Sequence, residues 1–186
     1  MALTFHALAI KPLVRGLKNL SAVLTKGEAH AVAASIDPQE YLDGRLAPDM
    51  YPLPQQIYRC TDAAKFLVSR ITGLPALSLP DTEKTFPELQ ARVAKVIEYL
   101  EAVDEKAFEG LEDKEIVIHT GAPPGSDFKY ESRFPAKDYV LYFGHPNFWF
   151  HVVTAYDILR HKGADVGKMD FLNGAGLVIP KAVPKE

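Results

Sequence analysis

His151 is the residue of this chain best placed by type and spacing to do chemistry. It lies in the stretch PNFWFHVVTAYDILRHKG, Pro146 to Gly163. An imidazole there can ligate a divalent metal or act as a general acid or base. A metal site needs three protein ligands converging on one point. His151 supplies one, Asn147 an amide oxygen one helical turn earlier, and the second helix could add Asp62, Gln55 or Gln56, or Asp49 near its start. His161 cannot share that metal, because ten residues of helix separate it from His151 by roughly 15 Å along the axis and about 80° around it. Acid–base chemistry needs instead an acidic neighbour such as Asp62 or Asp49 to tune the ring. Gln55, Gln56, Arg59, Trp149 and Tyr156 are the candidates to line a small-molecule site around it. The structural alternative is a buried or half-buried His151 hydrogen-bonded to an amide or carboxylate of the second helix.

Other chemistries are poorly supplied. Cys60 falls on an apolar helical stripe, the setting of an inert buried thiol. As the single cysteine it forms no internal disulfide, and a reducing, cytoplasmic setting is expected. No Gly-x-Ser-x-Gly turn is present, and GAPPGS at 121–126 precedes no helix, so it is no phosphate loop. Asp49 reads as an ion-pair partner for Arg45, Asp157 as a surface partner for His161, and Lys168 and Asp170 as groups that dock the C-terminal segment. Of the histidines at 6, 30 and 119, His30 is the one expected near the interior.

The elements that must position these groups follow from periodicity. With 186 residues, 47% of them hydrophobic, one core can be buried without metals or disulfides. A formal charge of −3 argues against nucleic acid as partner, and no apolar run reaches the ~18–20 residues of a membrane span. The first helix covers about Leu8 to Ala34, with the stripe Leu13, Leu17, Leu20, Leu24, Gly27 and Ala31, and Pro12 either opens it or kinks a longer helix from Thr4. The second runs from Asp49 or Tyr51 to Thr72, with Asp49 as N-cap, Gly73 as stop and Leu53, Ile57, Cys60, Ala64, Leu67 and Ile71 inward. The third opens on the capping box Thr85–Glu88, buries Phe86, Leu89, Val93, Val96 and Leu100, and ends near Val103. Glu115 to His119 and Phe128 to Phe134 alternate like strands, which predicts a hairpin. A short helical turn from Pro135 should break at Gly144 and Pro146 before the fourth helix. That helix has Phe148, Val152, Ala155 and Leu159 inward and Gly163 as a left-handed stop. Residues after Gly163 lack a period and should drape over the bundle.

Three segments together resemble an uncharacterised branch of the DinB/YfiT-like superfamily: RLAPDMYPLPQQ, TFPELQARV and PNFWFHVVTAYDILRHKG with VGKMDFL. The likeness spans about Phe5 to Asn173. It implies a four-helix bundle, often dimeric, with a pocket at one end or in its middle. In many of these proteins one histidine of helix two and a His-x-x-x-His pair of helix four hold a divalent metal, and some act as thiol-dependent transferases or isomerases. Here helix two has no histidine, and the residues four before and four after His151 are Asn147 and Ala155.

The expected fold is therefore mostly α: an up-and-down, DinB-like four-helix bundle over residues 1–173 with a small β-hairpin between helices three and four, then a tail over 174–186. The expected function is binding of a small molecule in the bundle pocket without the usual three-histidine metal site. The alternative is an enzyme acting on a small organic substrate, either metal-dependent (a hydrolase or thiol-dependent transferase) or metal-free, with His151 as ligand or general base. A divalent metal is possible but not favoured. A homodimer is expected, with no nucleic-acid or membrane partner.

Overall fold

The structure, a computed structural model, describes residues 3–121 and 127–181. Its elements are α1 (Phe5–Ala33), α2 (Pro38–Leu42), α3 (Leu53–Thr72), α4 (Phe86–Glu101), a 3₁₀ turn (Glu105–Phe108), β1 (Glu115–Thr120), β2 (Tyr130–Pro135), α5 (Ala136–Tyr139), a π-helical turn (Val140–Gly144), α6 (His145–His161) and α7 (Lys168–Asn173). The long helices α1, α3, α4 and α6 form the bundle. β1 and β2 pair antiparallel, with Glu115 opposite Pro135 and Thr120 opposite Tyr130. Residues 122–126 of the expected GAPPGS turn lie outside the described residues.

Every apolar position assigned to the four stripes is buried, from Leu13 through Ala31 on α1 to Phe148 through Leu159 on α6. The ends are marked as the residue types require. Thr4 caps α1 by accepting from the Ala7 amide at 3.1 Å. Thr85 and Glu88 form a reciprocal capping box on α4. Gly73 and Gly163 take positive φ, 81° and 96°. At Gly163 the Ala164 amide reaches back to the Leu159 carbonyl, the Schellman closure that the left-handed residue permits.

Four elements differ from expectation. Asp49 does not cap α3, whose N-cap is Pro52. Residues 38–42 form α2, capped by Asp37, where the sequence showed only a proline-rich loop without a period. The chain does not break at Gly144 and Pro146. It passes from α5 into α6 through the π-turn, with the His145 amide bonded to the Val140 carbonyl, and Pro146 falls in the first turn of α6, where its missing N–H is tolerated. The segment after Gly163 contains α7, too short for its periodicity to register. Asn19 of α1 holds it: Nδ2 donates to the carbonyls of Phe171 and Leu172, both at 3.0 Å, and Oδ1 accepts from the Ala175 amide at 3.1 Å. Asp170 adds an ion pair to Lys26 at 2.8 Å.

Residue pairs refine the simple up-and-down alternation. A Cβ on Gly16 would strike Phe148 and one on Gly27 would strike Leu159, so α1 and α6 run parallel in close contact. Gln56 meets His151 while Leu67 abuts Gly144, so α3 runs antiparallel to α6. Lys18 pairs with Glu101 and Ser21 with Gln90, so α4 is antiparallel to α1. Hence α3 and α4 point the same way, and the connection 73–85 must return along a helix of 20 residues, about 30 Å. It does so as an extended strap. Tyr99 donates to the Pro75 carbonyl, and Arg92 to the Pro80 carbonyl at 2.9 Å.

Arg92 is the central anchor of that strap, with a fully buried side chain. Its Nε donates to Thr61 Oγ1 at 2.8 Å, Nη2 pairs with Asp81 at 3.0 Å, and Nη1 with Glu83 at 3.2 Å. The guanidinium also lies over the Tyr58 ring, 4.7 Å from its centroid. Arg92→Ala would leave Glu83 and the Pro80 carbonyl without their partner, with Asp81 kept only by Arg59, and should lower unfolding free energy by about 3 kcal/mol in urea titration. Gly16→Leu should cost about 1–3 kcal/mol through overpacking on Phe148, outweighing its gain in helix propensity. Ala33→Leu, exposed on the same helix, should stay within about 0.5 kcal/mol of wild type.

Candidate functional site

The antiparallel α3–α6 pair brings Gln56 and His151 together. Gln56 is 1% exposed and His151 9%. The Gln56 amide is oriented by the chain entering α3: its Nε2 donates to the Tyr51 carbonyl at 2.9 Å. A carbonyl only accepts, so the amide nitrogen must face Tyr51 and the amide oxygen His151. That oxygen lies 2.7 Å from His151 Nδ1, which therefore carries the proton and donates it. In the neutral ring the lone pair is then on Nε2, which has no partner among the described residues. Burial, and secondarily the charge of Arg59, push the His151 pKa down to about 4, so the ring is neutral at pH 7.

Beside this pair lies a cavity of about 210 Å³ lined by Asp49, Met50, Tyr51, Gln56, Phe150 and His151. The Arg45–Asp49 ion pair expected from the sequence is not formed. Arg45 instead reaches the Pro48 carbonyl at 3.5 Å, and Asp49 has no hydrogen bond or ion pair among the described residues. No lysine or arginine lines the cavity.

The remaining candidates are elsewhere. Gln55 lines a separate cavity with Gln39, Tyr58 and Lys84. Arg59 pairs with Asp62 at 3.1 Å and Asp81 at 2.6 Å. Asp62 is also held by Lys65 at 3.0 Å and faces Arg92 at 3.6 Å, so its oxygens serve three cations. Trp149 packs on Phe148 and, like Tyr156, on Phe171 of α7, which makes both part of the seam that docks that helix. Asn147 does not line the His151 cavity. His145 donates from Nε2 to the Ala9 carbonyl at 3.0 Å, and burial lowers its pKa. His30 reaches the Tyr41 hydroxyl at 2.8 Å, and His6, which the sequence did not single out, has a buried Nε2 without a partner among the described residues. Cys60 is fully buried, and burial lifts its thiol to about 12, which removes it as a nucleophile.

Residues 5–172 match the family described as a domain of unknown function, DUF1993. The chain belongs to the DUF1993 family. It is also similar to the crystal structure of a DinB family member protein from Shewanella denitrificans, at 33% identity and a TM-score of 0.78, over 96% of this chain and 95% of that one. No curated protein matches it.

The resemblance to DinB-like proteins raises the question of a three-histidine metal centre, and the donors of this DUF1993 chain do not fit one. His151 offers one free nitrogen. The Gln56 oxygen is occupied by His151 Nδ1–H, and the Asp62 oxygens face cations. Among the described residues no group of three His, Cys, Asp or Glu could hold a metal ion. No helix of the described residues is long and apolar enough to cross a membrane.

The depressed His151 pKa has a thermodynamic signature. The unfolded chain protonates this ring near pH 6.5 and the folded chain only near 4, so protons favour unfolding between those values. Stability should therefore fall as pH drops from 6.5 to about 4, by up to about 3 kcal/mol more in wild type than in His151→Gln. Calorimetric unfolding across that range, with NMR titration of the His151 ring, checks both the sign and the pKa.

Proposed function

We propose that this DUF1993 protein binds a small organic molecule in the His151 cavity without a three-histidine metal centre. The observation that carries this reading is the chain of hydrogen bonds from the Tyr51 carbonyl through the Gln56 amide to His151. It spends the buried amide and one ring nitrogen on orientation, and leaves the other ring nitrogen beside a cavity with aromatic walls. A few convergent polar groups among apolar surface are the usual make-up of a ligand site. At about 210 Å³ the cavity is smaller than the ~300 Å³ lower end for drug-sized ligands, which favours a small or partly enclosed occupant. The acid–base enzyme reading is less well supported, because a general base works best with a pKa near the operating pH. A base near 4 is far from that.

Small aromatic fragments added to isotope-labelled protein are expected to move the resonances of Met50, Tyr51, Phe150 and His151. His151→Ala should abolish those shifts while costing only about 1–3 kcal/mol of stability. Elemental analysis of untagged protein supplies the opposing outcome. One equivalent of zinc, nickel or iron, lost in His151→Ala, would replace this reading with a metal-dependent one.

A further inference from the structure

Three side chains of the cavity lining keep a polar atom without a partner among the described residues: Asp49, His151 and the Tyr51 hydroxyl, and each of them can accept a hydrogen bond. Asp49 presents a carboxylate without a partner among the described residues, and His151 presents the Nε2 lone pair. Gln56 is held at both ends of its amide and is almost fully buried, so it offers a ligand little. The flanking rings, Tyr51 and Phe150, are 52% and 56% exposed and so offer accessible faces. A negative charge, a hydrogen-bond acceptor and aromatic faces all attract the same thing, a cation that carries N–H donors. The positive field of Arg59 does not oppose this strongly, because Asp62 and Asp81 hold its guanidinium at 3.1 and 2.6 Å.

We infer that the His151 cavity takes a small organic ammonium, its N–H groups shared between the Asp49 carboxylate and His151 Nε2 and its carbon body set against Tyr51 and Phe150. This inference rests on the ligand-binding reading above and adds the chemical class. An anion would meet the Asp49 charge with no cation on the wall, and a neutral alcohol would forgo the charge-assisted hydrogen bond, the stronger kind.

Three probes that differ only in the charge of their head group test the class: benzylamine, benzyl alcohol and benzoate. Each is titrated at pH 7 into protein with ¹⁵N-labelled histidine, with the His151 Nε2 resonance as readout. Benzylamine should shift that resonance saturably and bind at least tenfold tighter than benzyl alcohol, while benzoate leaves it unmoved. Asp49→Asn, on the exposed chain before α3, should erase the tenfold preference while the Nδ1 resonance keeps its hydrogen-bonded position. Equal binding of the alcohol or of benzoate, or a preference that survives Asp49→Asn, would overturn the ammonium assignment and leave the cavity a ligand site of another class. If no probe moved His151, both the class and the ligand-binding reading would fall.

Discussion

The parallel run of α3 and α4 is the constraint on which the rest of this structure depends. Two consecutive helices that point the same way cannot be joined by a short turn, so an extended strap must carry the chain back along the bundle. An extended segment has no internal partners for its polar groups, and must find them on the helices it crosses. Arg92 meets that requirement from inside the protein. One guanidinium serves a strap carbonyl, two strap carboxylates and a threonine of α3, and so fixes α3, α4 and the strap in one register. Three cations, Arg59, Lys65 and Arg92, face three anions, Asp62, Asp81 and Glu83, so the network is balanced in charge. In that network the Asp62 oxygens face cations, and Arg59 is paired with Asp62 and Asp81 and does not line the cavity.

The site inherits its precision from the same scaffold. Once α3 is held, Gln56 lies opposite His151 because α6 runs antiparallel beside it. The proline-rich entry to α3 contributes in turn. Pro52 and Pro54 bracket the first residue of the helix, Leu53, and leave the Tyr51 carbonyl as the group against which the Gln56 amide settles. The tautomer of the neutral His151 ring is thus decided by a backbone carbonyl two hydrogen bonds away. The ring is a donor on one side and carries a lone pair on the other at neutral pH.

Most of the helical framework was legible because helical period and end signals survive in any one sequence. The stripes of α1, α3, α4 and α6, the capping box at Thr85 and the left-handed glycines at 73 and 163 are local properties of local residues. The misses are of another kind. Arg92 lies between Leu89 and Val93 on the buried face of α4, yet a charged residue there reads as the edge of a stripe, since burial of its side chain is justified only by carboxylates from a distant strap. The π-turn at 140–144 was hidden because Gly144 and Pro146 read as ordinary breakers, whereas Gly144 is there to let Leu67 of α3 approach closely. At the site, His151 was visible from its place beside the apolar stripe, and Gln56 stood out only as one of several polar flanks. Asp49 was misread as the partner of Arg45, because sequence proximity says nothing about which way two exposed side chains turn.

The docking of α7 onto α1 has a consequence for how the chain is made. Asn19 and Lys26 leave the ribosome long before their partners at 170–175. Until then the surface of α1 that receives α7 has no cover, and Trp149 and Tyr156 lack the Phe171 ring that later packs on them. Sequence-distant closure of this sort is slow compared with helix formation. The nascent bundle therefore completes this seam only once α7 has emerged, and the aromatic surface beneath α7 stays uncovered in the interval.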